Sequence, residues 1–122
     1  MDLANIAPIE RKLNLKNPAD GTETGMVLTI ACIHDDRVKK ATRETNDEIL
    51  KLGNDITDAK LAKLDDQLAA SCIFDIEFTG DACWHGKTPK FSKALAVEVC
   101  SIPSLKEQVL AEFRRTQDFY VV

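Results

Sequence analysis

Aromatic residues are scarce in this chain. One Trp, one Tyr and five Phe make up 6% of its 122 residues. An interface built on many aromatic anchors is therefore excluded. Histidine is scarcer still: His34 and His85 are the only two, which leaves little for acid–base catalysis near neutral pH. No apolar run approaches the roughly 20 residues needed to span a bilayer, so no membrane partner is expected. The longest run, Met26 to Ile33, is short and contains Thr29. There is no glycine-rich phosphate loop, no HExxH and no nucleophile elbow, and no enzyme is expected. Positive charge is in deficit: 16 Lys plus Arg face 20 Asp plus Glu, for a net charge of −4. That balance is a poor match for a phosphate backbone, so no nucleic-acid partner is expected either.

What is present is an ordinary globular mixture, 44% hydrophobic and 30% charged. The length suits one domain over residues 1–122, able to bury a core without a metal or disulfide staple. Residues 1–8 read as a flexible lead-in. The opening Met1-Asp2-Leu3-Ala4-Asn5 is acidic and unlike a secretory signal, which points to the cytosol.

In a reducing compartment Cys32, Cys72, Cys83 and Cys100 are expected as free thiols. None forms a CxxC pair. Cys32 and His34 share a Cys-x-His spacing with Cys83 and His85. On a strand both residues of such a pair share a face, and four ligands of this kind suit tetrahedral zinc. The spacings match no ligand knuckle, however. The plainer reading makes Cys32, Cys72 and Cys100 small core hydrophobes. No metal or cofactor is expected.

The pattern along the chain predicts an α+β fold, mostly α-helical, with an N-terminal β-hairpin followed by about four helices. Ile9 to Lys16 reads as a first strand, with Leu13 and Leu15 on one face. Asn17-Pro18-Ala19-Asp20-Gly21 is turn chemistry, and Met26 to His34 reads as the second strand. Asp35 and Asp36 offer caps for a helix to Leu52, whose stripe is Val38, Ala41, Thr45, Ile49 and Leu52. Gly53 ends it. Thr57 or Asp58 starts a second helix with the stripe Leu61, Leu64, Leu68 and Cys72. Ile73 to Phe78 is read as a continuation of that helix, because Phe74 and Phe78 keep its spacing; strand is the competing reading. Ser92 caps a short helix to about Val99, and Pro103 opens a last helix to about Gln117 with Leu105, Val109 and Phe113 on its stripe.

Isolated polar clusters have plain explanations. Arg114-Arg115 complements a helix C-terminus, Asp35-Asp36 a helix N-terminus, and Asp65-Asp66 a solvated face. Cys83 and His85 make an unpromising nucleophile pair, since nothing evident orients the imidazole. Trp84 and Phe91 read as core plugs. Phe119 and Tyr120 lie near the chain end, where apolar residues suggest docking on self or on a partner.

One ordered series carries a resemblance. A turn with Pro18-Ala19-Asp20-Gly21 leads into Met26-Val27-Leu28-Thr29-Ile30. After polar helical sequence come Trp84-His85-Gly86 and Thr88-Pro89-Lys90-Phe91-Ser92. Then follow Ile102-Pro103-Ser104-Leu105-Lys106-Glu107-Gln108-Val109 and Phe119. This order resembles the tail assembly chaperones of long-tailed, siphovirus-type bacteriophages. The resemblance implies a non-enzymatic protein of the host cytoplasm that binds the tape measure protein, keeps it soluble and helps recruit tail tube subunits. It also implies a longer, frameshifted form through which the tail tube protein is met, and absence from the finished virion. A long helical client suits helix-in-groove binding by several weak copies. Self-association through helix faces and the apolar terminus is expected, with Phe91, Val109, Phe113, Phe119 and Tyr120 as candidate partner contacts. The alternatives are a structural tail adaptor or terminator that stays in the virion, expected to be richer in strand, and a small metal-binding regulator using Cys32, His34, Cys83 and His85.

Overall fold

The computed structural model describes residues 4 and 6–120. Of the expected lead-in, residues 1–3 and 5 lie outside the described residues, as do Val121 and Val122 of the apolar terminus. Residues 6–8 carry no regular secondary structure.

The N-terminal hairpin is formed by β1 (Arg11–Lys16) and β2 (Glu23–Ile30), paired antiparallel with Leu13 opposite Leu28. The turn between them is built as its residues suggest: the Asn17 side chain accepts from Ala19 N–H, and the Gly21 N–H returns to Asn17 O. β2 begins and ends earlier than its apolar run suggests. Ala31 and Cys32 instead leave the strand and enter the core, with the Ala31 N–H donating to Cys72 O at 2.9 Å.

Four helices follow: α1 (Asp36–Leu52), α2 (Asp58–Ala70), α3 (Lys93–Cys100) and α4 (Pro103–Arg114). Their starts are set by local chemistry. Asp35 accepts from Arg37 N–H, Thr57 from Lys60 N–H and Ser92 from Leu95 N–H, while Pro103 opens α4. The last helix ends at Arg114, and a 3₁₀ turn at Thr116–Phe119 follows it.

Ile73–Phe78 is a strand, β3, and not a continuation of α2. It pairs antiparallel with β2, so the sheet order is β1-β2-β3. The reason is tertiary. α2 stops at Ser71, whose hydroxyl donates to Leu68 O. Ile76 and Phe78 then face the core opposite Leu28 and Met26, burial that a helix here would forgo. The Phe74–Phe78 spacing that suggested a helix is also an even spacing, and an irregular register beside Ile30 sets Phe74 apart from the other two.

The core lies between one face of the sheet and α3 and α4. Leu15, Leu28, Ile30, Ile73, Val99 and Val109 are among its fully buried members, each worth about 1.5–3 kcal/mol of burial. The opposite sheet face is polar, and a Lys12–Glu77 pair at 3.5 Å crosses it.

Candidate partner-binding site

The five contacts expected from the sequence do not form one outward surface. Val109 on α4 and Phe119 after it have no accessible surface; both belong to the chain's own core. The 3₁₀ turn folds Phe119 inward, and its carbonyl accepts the Ile9 N–H at 2.7 Å. Arg11 adds a bond to the neighbouring Asp118 carbonyl at 2.8 Å and a 3.3 Å ion pair to Glu112. The terminus thus docks on its own first strand. An apolar terminus was legible; that its leading residue faces inward was not. Phe91, Phe113 and Tyr120 are half-buried and pack against the same core. Tyr120 lies beside His34, with ring centroids 6.5 Å apart. These three keep some surface for a partner.

The Trp84 loop is fixed to α3. Trp84 and Lys87 exchange two backbone hydrogen bonds across His85 and Gly86, which both have positive φ, at 52° and 74°. Trp84 Nε1 donates to Glu98 Oε1 at 3.1 Å, and His85 Nε2 lies 3.2 Å from the same oxygen. Trp84 and Phe91 both pack against the core, as their positions suggest.

The Cys and His residues do not converge. Cys32 is buried after β2, whereas Cys83 and His85 are exposed in the loop after β3. Among the described residues no group of three or more His, Cys, Asp or Glu is placed to hold a metal ion. Cys72 and Cys100 are buried thiols pushed up, chiefly by that burial, to about 12 and about 11. They are inert as nucleophiles near neutral pH.

The site that sequence reasoning missed is a groove of about 570 Å³ where α1, α2 and α3 meet. Its floor is made of Ala41, Thr45, Ala70, Ala94 and Val97. Ala41 and Thr45 sit on the α1 stripe where larger side chains would close the gap, and that is the one signal the sequence held. Beside the groove, Phe74 has the Arg37 guanidinium and the Lys93 ammonium each 4.1 Å from its ring centre. Lys93 also donates to Ile73 O at 2.9 Å, and burial holds its ammonium below the usual lysine range. Asp35 and Glu10 hold Arg37 through 3.0 and 2.6 Å ion pairs. Of these residues Lys93 alone lines the groove, and its ammonium is held by Ile73 O and the Phe74 ring.

Among the described residues six large apolar side chains are well exposed: Ile6, Ile9, Ile33, Leu50, Leu61 and Ile102. Leu50, on α1, is the extreme at 78%. Among the described residues no helix is long and apolar enough to cross a membrane.

No family model matches the chain, and no curated protein or solved structure matches it either.

Proposed function

We propose that this chain is an assembly chaperone for a phage tail, which binds the tape measure protein, keeps it soluble and, through a longer frameshifted form, helps recruit tail tube subunits. The observation that carries the reading is the ordered series of residues from Trp84 to Phe119. In this fold those residues order α3 and α4. Trp84 grips Glu98, Ser92 caps α3, Pro103 opens α4 and Phe119 closes the core.

Two further features support it. Half of the described residues are helical and 19% are in strands, which disfavours the strand-rich adaptor or terminator. An open groove and scattered exposed apolar side chains suit weak, repeated contacts along one long client, with avidity supplied by several copies.

The test is co-expression with the tape measure protein encoded beside it, followed by fractionation and pull-down. The client is expected in the soluble fraction, co-purifying with this chain. A client that stays insoluble with both the short and the longer product overturns the reading.

A further inference from the structure

We infer that the groove between α1, α2 and α3 is the seat of a client helix, and that it takes about two turns of an amphipathic helix with basic residues on one edge and acidic residues on the other. The inference rests on the chaperone reading and names the site through which it acts.

Three observations converge on it. The floor is apolar in effect as well as in composition. The Thr45 hydroxyl donates to Ala41 O at 3.1 Å and the Ser71 hydroxyl to Leu68 O at 2.6 Å. Both hydroxyls are satisfied locally and ask nothing of an occupant, and the Gln67 amide on α2 is the one uncharged polar group of the lining left to meet an occupant's polar edge. The floor side chains are also small. A helix approaches closely where its neighbours present Ala and Thr, because the interaxial distance is set by the side chains at the contact.

The walls carry opposite charge. Glu44 and Glu48 line the α1 side, one turn apart, while Lys63 on α2 and Lys93 on α3 line the other. Glu44, Glu48 and Lys63 are exposed and make no ion pair or side-chain hydrogen bond among the described residues. The groove holds them apart, so each remains available to an incoming charge. A helix with Lys or Arg against α1 and Asp or Glu against α2 meets both walls with complementary sign, and the reverse rotation is repelled by both.

The lined stretch of α1, from Ala41 to Glu48, sets the length. Seven steps of about 1.5 Å span roughly two turns of a helix lying alongside. That footprint is small and the affinity of one copy is correspondingly weak. Such contacts suit a long client that offers many similar turns to many copies.

Charge reversal tests the site without disturbing the core. Glu44→Lys with Glu48→Lys alters only exposed positions of α1, and Ala94→Trp fills the groove from an exposed position on α3. Each variant is co-expressed with the tape measure protein, and far-UV circular dichroism and thermal melting verify its fold. The expected result is wild-type capture of the client, with both variants folded and capture reduced about tenfold or more. Undiminished capture by both folded variants overturns the groove and leaves the chaperone reading standing. Failure of both the wild-type chain and its longer form to capture the client overturns that reading and the groove together. If the reversal instead alters the sedimentation of the free chain while capture persists, the groove seats a second copy and the client-helix assignment is wrong.

Discussion

The side-chain amide of Gln108 brackets the backbone of Lys16. Its Oε1 accepts the Lys16 N–H at 2.7 Å, and its Nε2 donates to the Lys16 carbonyl at 2.9 Å. One side chain on α4 thereby imitates a neighbouring strand at the outer end of β1. An edge strand with open donors and acceptors invites pairing with another chain, and this contact closes part of that edge. Gln108→Ala is expected to cost about 1–2 kcal/mol by urea denaturation and to speed exchange of the Lys16 amide. Gln108→Glu keeps an acceptor for the N–H but sets a carboxylate against the Lys16 carbonyl, so it is expected to be destabilising too. Unaltered exchange at Lys16 in both variants would remove this role.

Gly25 is the position in β2 least able to accept a side chain. Its φ is +87°, and a Cβ built there stands 2.5 Å from the Thr79 carbonyl oxygen. Its own carbonyl accepts both the Thr79 N–H and the Thr79 hydroxyl, each at 2.8 Å. Gly25→Ala is expected to loosen the β2–β3 junction, at a cost of roughly 2 kcal/mol or more from the left-handed backbone and the clash together. Loss of chemical stability in the variant, with shifted amide resonances around Thr79, checks it. Wild-type stability would contradict it.

Phe119 and Tyr120 are neighbours with different duties. Phe119→Ala removes a fully buried ring and is expected to cost about 3–5 kcal/mol. Tyr120→Ala removes a half-buried ring and is expected to cost less. Client capture by the Phe119 variant therefore has to be read beside its folded fraction, whereas the Tyr120 variant reports on contact more directly. Equal stability of the two variants would show that the terminus does not dock as described.

Alkaline pH is expected to weaken the fold through two thiols. In the unfolded chain Cys72 and Cys100 ionise near 9.0; burial raises them to about 12 and about 11 in the folded chain. The stability carried by the neutral thiols is whole below pH 9 and is lost as pH rises toward those folded values. The slope is about 1.4 kcal/mol per pH unit for each thiol. Lys93 acts in the opposite sense, because burial lowers it and its cost is relieved as pH rises toward 10.5. With two thiols against one amine, the urea midpoint is expected to fall between pH 9 and 10.5, and Cys100→Ala to make that fall shallower. A midpoint that is flat over this range in the wild-type chain would contradict the assignment.

Helix boundaries were readable because single residues determine them. Asp35, Thr57, Ser92 and Pro103 each stand at the start of a helix, and Gly53 at the end of one. The β3 strand was not readable in the same way. Ile73 to Phe78 satisfies both periods, and what decides between them is pairing with Met26 and Leu28, some fifty residues earlier. Two of the expected contacts turned inward for a related reason: an apolar stripe does not reveal whether it faces the chain's own core or a partner, and Val109 and Phe119 face the core. The groove has only a faint local signature. Its floor comes from three separate helices, and only Ala41 and Thr45, too small for a stripe flanked by Val38 and Ile49, hinted at a gap.

The most direct test of the chaperone reading is the mass of the complex recovered when this chain is co-expressed with the tape measure protein, measured by light scattering after size exclusion. The reading predicts a soluble particle holding one client and several copies of this chain, a stoichiometry that falls when the α1 groove charges are reversed. A client that stays in the pellet with this chain and with its longer form, or a chain that elutes free of a client already soluble without it, would contradict it.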